Sequence, residues 1–518
     1  MSATVEIRPG FRMAWPAMLA SGRRDILCCA ALLTAAAIVA LPGALVSPME
    51  LWDESRNATN AMEMANSGDW LVTTFEHAPD RWNTKPPLLI WIMAALLRSG
   101  LPAMLALRLP SLLAAMTTIF LVYATCRVLL HDRLAGLLGG SFLCASILFM
   151  GDHVARTGDY DALLALLSLG FVLCVGRYID VEPGKGGRWI AAAAALLFLS
   201  LMTKGAAAAL PVPGLIAYAV ARRRVLTTVR DWRAWAAAAA SLSGFAFWAW
   251  SREQADPGFL AALWANDVTG RAIAVSEGHF GGPLFYPAIL LMTFPAGVVL
   301  LPALFKARVA PDPARRHLCL LTTLAAASWF GLLTAASTKI AWYAVPILPL
   351  LAIAIGASAA QWIRLGRNNA RLKSVSGLIV MCYGATFWYQ NVYAISGSHG
   401  QEWEQLWYVD FVDGLRGDVS LDGAVIVDRG LANNAGFQNY NPIARFAVES
   451  AARRGEHLNI VPPGSHVRPG ETLLTCDPVV RPWLMAQGFF TVVRATPRCL
   501  VGHIAPGRAG PRAVAPSE

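Results

Sequence analysis

The sequence predicts a mainly α fold: a polytopic helical membrane bundle of about eleven spanning helices, with interfacial helices in its first outer loop, and a small C-terminal α/β domain. Three observations predict it. Of 518 residues, 56% are hydrophobic and only 15% are charged, whereas soluble domains carry about a quarter, because charge in hydrocarbon is costly. Apolar runs of about spanning length, roughly 20 residues, recur through the first three quarters of the chain. Lys and Arg alternate in density from one loop to the next.

In chain order the runs fall at 26–46, 106–130, 134–151, 160–178, 188–203, 205–221, 232–251, 284–305, 317–336, 341–362 and 374–394. Ile26–Val46 follows Arg23 and Arg24 and has full spanning length, so it reads as a retained first helix and not a cleaved signal. With residues 1–25 in the cytoplasm, the inside loops hold 22 basic residues and the outside loops before residue 396 hold nine, as the positive-inside rule requires. Pro86–Leu97 is apolar but short, and crossing there would invert every later loop. It reads as an interfacial or re-entrant helix. The net charge of +10 therefore belongs to cytoplasmic loops. The arginines form no single basic face, which excludes a nucleic-acid partner.

This topology gives a transmembrane domain over 26–395, with a first outer loop at 47–98, and an extracytoplasmic domain over 396–505. The latter is polar and Gly/Pro-punctuated. It has β-like runs at Ala424–Asp428, Glu471–Thr475 and Thr491–Arg494 and a helical stretch at Pro442–Arg454. Residues 506–518 read as a disordered tail. Seven of nine cysteines lie in apolar runs. Cys476 and Cys499 lie in the polar domain, where they can pair if it faces an oxidising compartment.

The first outer loop reads LWDESRNATNAMEMANSGDWLVTTFEHAPDRWNTKPPLLIW. Ser55–Asn66 suits a short helix ended by Ser67, Gly68 and Asp69, lying on the membrane surface. Glu63, Asp69, Glu76 and Asp80 read as solvated acids. Asp53 differs: it stands just beyond the first spanning helix, with Glu54 beside it and Arg56 three residues on. A carboxylate there can take a proton from an attacking hydroxyl, and an arginine can clamp a phosphate. Lys85 adds a cation ahead of Pro86 and Pro87; alone, it reads equally as a snorkelling lysine.

DESR, GDWLV and KPPLLIW together resemble bacterial membrane glycosyltransferases of the C superfamily, near the lipid A aminoarabinose transferases and the protein O-mannosyltransferase-like enzymes. ARTGDYDALLALL (155–167) resembles the family's second acidic motif, with Arg156 ahead of Asp161, and TKG (203–205) its lysine turn at Lys204. EGHFGGPLFYPAILLMTFPAGVVLLP (277–302) resembles the loop and helix before the later bundle, and STKIAWYAVPILPL (337–350) the motif that places Lys339 and Tyr343 at a carrier phosphate. The resemblance covers roughly 26–355.

It implies an enzyme of the bacterial inner membrane that takes a sugar from a polyprenyl-phosphate carrier such as undecaprenyl phosphate. The sugar passes, with inversion, to a lipid or glycolipid acceptor of the cell envelope, such as the lipid A of lipopolysaccharide, or to a protein. Asp53 would be the general base. Arg56, Lys85, Arg156, Lys204, Lys339 and Tyr343 would bind carrier phosphate and substrate. Asp161 would orient the sugar, with Asp159 competing for that role and Glu54 either beside the substrate or merely next to Asp53. A divalent metal (Mg, Mn or Zn) is compatible, with His279 as a candidate ligand. Many aminoarabinose-type relatives have a glutamate where this chain has Thr84, so galacturonic acid, mannose, arabinose and aminoarabinose all remain open as the sugar. The alternative class is a transporter or flippase of a lipid-linked or anionic substrate, whose charges would sit nearer mid-membrane in two repeated halves.

Overall fold

A computed structural model of the chain describes residues 22–275, 278–294, 312–365, 374, 377, 381, 384–389, 407–430 and 440–505. The chain runs through α1 (Arg23–Val46), α2 (Asp53–Ser67), α3 (Leu88–Arg98), α4 (Ala103–Leu129), α5 (Arg133–Cys144), α6 (Tyr160–Asp180), α7 (Gly187–Lys204), α8 (Val212–Ala221), α9 (Trp232–Ala255), α10 (Phe285–Thr293), α11 (Pro313–Ala335) and α12 (Ile347–Leu365). Among the described residues, six helical stretches are long and apolar enough to cross a membrane: Arg23–Val46, Ala103–Leu129, Tyr160–Asp180, Gly187–Ala209, Pro313–Ala335 and Ile347–Arg364.

Two expected spans are shorter than the sequence suggested. The run 134–151 folds as α5 and a separate turn at Ile147–Met150, which Ser146 caps. The run 205–221 is a 3-10 turn followed by α8, broken at Pro211, because proline cannot donate within a helix. The expected segment 374–394, the second half of 284–305 and the terminal stretches 1–21 and 506–518 lie mostly or wholly outside the described residues. Helix α3 has 11 residues, about 16 Å of helix against roughly 30 Å of hydrocarbon, so it does not cross.

Small residues let α5 and α12 approach closely. A Cβ on Gly356 of α12 would lie 2.6 Å from the Ala135 carbonyl oxygen of α5, and one on Gly139 would lie 2.9 Å from the Ala352 carbonyl oxygen. This is the small-residue packing that membrane helices use where lipid offers no hydrophobic drive. At the expected cytoplasmic end, basic residues are tied to acids. Asp25 binds Arg127 (2.9 Å) and Arg133 (2.8 Å), Asp132 binds Arg315 (2.8 Å) and Arg364 (2.5 Å), and Asp180 binds Arg222 (2.9 Å).

The C-terminal domain contains α13 (Tyr408–Gly414), β3 (Val425–Val427), α14 (Pro442–Ala452), β4 (Asn459–Val461), β5 (Thr472–Thr475), α15 (Val480–Met485), β6 (Phe490–Ala495) and β7 (Leu500–Ile504). Its sheet has the order β4-β3-β5-β7-β6, parallel among the first three strands and antiparallel beyond. Cys476 and Cys499 are joined as a disulfide between the end of β5 and the start of β7.

Helix α2 is where the two parts meet. It does not lie on a membrane surface: every residue from Glu54 to Ala65 is buried. Its apolar side shares one core with Leu89, Ile90 and Met93 of α3 and with Ile443, Phe446 and Ala447 of α14. Its polar side is covered by a short hairpin, β1 (Thr74–Phe75) and β2 (Ala78–Pro79), and by hydrogen bonds from Thr59 and Asn66 to the carbonyls of Pro442 (3.1 Å) and Glu449 (3.1 Å). Glu63 and Asp80 are consequently buried, not solvated as their sequence context suggested.

Candidate active site

The site begins where α1 ends. Arg108 of α4 donates to the carbonyls of Ala44 (3.1 Å), Ser47 (2.8 Å) and Pro48 (2.8 Å), and its guanidinium grips Glu54 at 2.6 and 2.8 Å. Glu54 also accepts the Gly158 N–H at 3.0 Å. Glu54 is thus a buried anchor that ties α1, α2, α4 and the 151–159 loop together, and it takes no part in the open site. Trp52, held at φ 75°, stacks on Tyr440 of the C-terminal domain at 5.4 Å. Asp53 then opens α2, where the helix dipole favours a carboxylate.

Around Asp53 the structure closes a ring of charged and polar groups. Lys85 lies 3.9 Å from its carboxylate. Asp161, in the first turn of α6, accepts from Lys204 at the end of α7 at 2.7 Å through both oxygens. The Lys204 ammonium stands 4.3 Å from the centre of the Tyr343 ring. The Tyr343 hydroxyl accepts from Arg271, which pairs with Asp267 at 3.4 Å. Asp267 accepts from Thr84 at 3.0 Å, and Thr84 adjoins Lys85. A carboxylate, Asp267, therefore stands against Thr84, where relatives are expected to carry a glutamate.

Asp159 and His153 fill the floor of the site. The His153 Nδ1 is 3.7 Å from Asp159, beyond hydrogen-bonding reach, and it is buried without a hydrogen-bond partner. Its ring stacks on Trp342 at 3.9 Å. Asp53, His153 and Asp159 each offer a ligand atom within 4.8 Å of the others. Two carboxylates and an imidazole suit Zn or Mn, and the orphaned Nδ1 is the observation that fits a cation there.

The electrostatics separate the acids. Burial works to raise the Asp53 carboxyl, but Lys85, His153, Lys204 and Arg271 outweigh it and hold it below the usual carboxylate range. Burial, with Asp53's charge adding to it, raises Asp159 to about 7. Burial, with Asp152 and Glu54 adding to it, likewise raises Glu50 to about 7. Burial would lower the His153 imidazole, yet Asp159, Asp53, Asp152 and Glu50 carry it above its ordinary value.

The structure therefore brings together Asp53, Lys85, Asp159, Asp161, Lys204 and Tyr343 of the sequence-predicted set. Five others are committed elsewhere. Arg56 turns to Asp80, which it binds at 2.7 and 2.8 Å, under the Phe75 ring at 3.5 Å. Glu54 belongs to Arg108. Arg156 is buried against the Val39 carbonyl at 3.0 Å. Lys339 donates to the carbonyls of Leu333 (3.0 Å), Thr334 (2.7 Å) and Ala336, capping the end of α11. His279 lies in the loop before α10, where its carbonyl receives the Lys339 N–H at 3.0 Å; within this site the imidazole beside carboxylates is His153. Sequence reasoning passed over His153, Arg271 and Asp267. For His153 the signal was its position three residues ahead of Arg156 in the second acidic motif. For Arg271 it was its place among the few outside cations.

Fold and site define a polytopic helical membrane protein with a small C-terminal α/β domain and a cluster of charged groups at one end of its spanning helices. A family model described as dolichyl-phosphate-mannose-protein mannosyltransferase matches residues 84–250, a span that carries Lys85, Asp159, Asp161 and Lys204. Among solved structures, the chain is similar to ArnT from Cupriavidus metallidurans bound to undecaprenyl phosphate, with a TM-score of 0.63 and 17% identity over 94% of this chain and 99% of that one. The apo state of the same ArnT gives 0.62 and 17%, over 95% and 100%. The likeness thus includes the C-terminal domain. No curated protein sequence matches the chain.

Proposed function

We propose that this protein is a membrane glycosyltransferase that moves a sugar from a polyprenyl-phosphate carrier to a lipid or glycolipid acceptor, of which lipid A is the leading example. The site would face the outer side of a bacterial cytoplasmic membrane. One observation carries the reading: Lys85, Lys204 and Arg271 stand around Asp53 at one end of the spanning helices. Cations gathered at headgroup depth call for an anion, and a carrier phosphate supplies one that is also the leaving group. The ArnT structure bound to undecaprenyl phosphate supports the same carrier chemistry.

The displacement is a single inverting step. The acceptor oxygen attacks the anomeric carbon, and its proton passes to Asp53, whose depressed carboxyl is ionised and ready to receive it. The bond from the anomeric carbon to the phosphate oxygen breaks, and the electron pair leaves with the polyprenyl phosphate. Lys85, Lys204 and Arg271 are preorganised for the charge that develops there. Asp161 fixes the Lys204 ammonium, and Tyr343 lies beneath it. A divalent cation held by Asp53, His153 and Asp159 would add electrostatic neutralisation at the same phosphate.

The one-sided placement of these charges speaks against a transporter. The deciding experiment supplies purified protein with a panel of polyprenyl-phosphate sugars and a total-lipid acceptor, comparing wild type with Asp53→Asn. Donor consumption that vanishes in the variant supports the transferase. Carrier binding with no turnover of any sugar would sink it.

A further inference from the structure

We propose that Glu63, His77 and Glu449 form a second divalent-cation site, of zinc type, that fastens the C-terminal domain to the first outer loop. One ligand atom from each lies within 4.8 Å of the others. The three come from separate elements: Glu63 from α2, His77 from the β1–β2 turn and Glu449 from α14. The His77 Nε2 is already 3.1 Å from a Glu449 carboxylate oxygen. Donor atoms about 2.0–2.1 Å from a tetrahedral zinc stand roughly 3.3 Å apart, a spacing that the His77–Glu449 pair already meets.

The surroundings favour a cation over a plain ion pair. Glu63 and Glu449 are 1% and 3% exposed. Two buried carboxylates side by side are costly without matching positive charge, and one exposed imidazole supplies at most a single proton. The arginines nearby are engaged elsewhere: Arg445 with Glu76 at 3.2 Å, and Arg453 with Ala65, Asn66 and Leu97 at 3.2–3.4 Å. A divalent ion would balance both carboxylates. The His77 side chain is 71% exposed, which leaves an entry path and room for a water as fourth ligand.

The ligands are also held in place. Glu63 accepts the backbone N–H groups of Glu76 (2.8 Å) and His77 (3.2 Å), and Asn66 donates to Glu449 at 3.3 Å. Such outer contacts orient metal ligands. Glu76 and His77 both sit at positive φ, 56° and 59°, where two-residue hairpin turns prefer Asn, Asp or Gly. The turn thus keeps a histidine where an easier residue would serve the hairpin better. This site is ten residues, about 15 Å along α2, from Asp53, so it is separate from the Asp53–His153–Asp159 cluster. It would steady the helix that presents Asp53.

The test uses full-length protein in detergent, stripped with a chelator and titrated with Zn2+ against a zinc-sensitive dye, with thermal unfolding read in parallel. His153→Ala is the background, so that the other cluster contributes no zinc. In that background we expect one tight zinc and a rise in Tm on adding it. Adding His77→Ala, an exposed substitution that leaves the carboxylates in place, should weaken zinc by at least about tenfold, the least that even an outer-shell partner is worth, and abolish the rise. Glu449→Gln should do the same. Absence of tight zinc in the His153→Ala chain, or zinc binding unchanged by His77→Ala, would overturn the proposal.

Discussion

Asp161 and Lys204 meet with both carboxylate oxygens 2.7 Å from one ammonium, on helices that are adjacent in sequence and antiparallel in space. Asp161 is buried and Lys204 is mostly so, with 11% of its side chain exposed. Removing one partner of such a pair leaves an uncompensated charge, at a cost of about 3–5 kcal/mol, whereas removing both together is often close to neutral. Asp161→Asn or Lys204→Met alone should therefore lower the unfolding midpoint more than the double variant does. The double variant should still lack transfer activity, because the phosphate cation is gone. A double variant whose midpoint falls by the sum of the two single shifts would show that the pair is not coupled.

Asp53 is assigned as the base, and its removal should separate chemistry from binding. Asp53→Asn should reduce the transfer rate by about 10²–10⁴-fold, the range for a lost general base. Carrier binding should be kept or strengthened, since a negative charge leaves the neighbourhood of the phosphate. Radiolabelled undecaprenyl phosphate measures binding, and donor consumption measures the rate. Loss of carrier binding in the variant would contradict the assignment.

Part of this arrangement was legible in the sequence. The short α3 was recognised as non-crossing because length and loop charge agreed. Three of the five C-terminal strands, β3, β5 and β6, showed as short β-like runs, whereas β4 and β7 did not. Asp53, Lys85 and Asp161 stood out because ionisable groups at the ends of apolar runs are few. Arg56 was misplaced because its partner, Asp80, lies 24 residues on, across a hairpin whose turn, Glu76–His77, carries neither Asn nor Gly. His153 was passed over because it sits in an irregular loop at φ 61°, which no periodicity marks. The burial of α2 depends on a C-terminal domain whose docking leaves no local trace in the loop.

Two acids give the site a pH signature. Asp159 and Glu50 are each raised to about 7, chiefly by burial. A carboxyl whose folded value exceeds its unfolded one near 4 adds stability that is complete below about pH 4 and is lost as pH rises through about 7. Metal-free wild-type protein should therefore fall in Tm between about pH 5 and 8. Asp159→Asn, neutral throughout, should fall less. Parallel Tm curves for the two proteins would remove Asp159 from this account.

The contact between α5 and α12 offers a test of the bundle that is independent of catalysis. A Cβ added at Gly356 would meet the Ala135 carbonyl oxygen at 2.6 Å and the Gly139 backbone nitrogen at 2.7 Å. Neither is the flexible end of a side chain, so the helices must part. Overpacking of this kind costs about 1–3 kcal/mol. Gly331, in α11, has nothing within 4 Å of its would-be Cβ, and alanine is the better helix former by up to about 1 kcal/mol. Gly356→Ala should thus lower the unfolding midpoint in detergent, while Gly331→Ala should leave it unchanged or raise it. Equal behaviour of the two variants would mean that α5 and α12 do not approach as closely as the ridge of small residues Ala135, Gly139 and Gly356 implies.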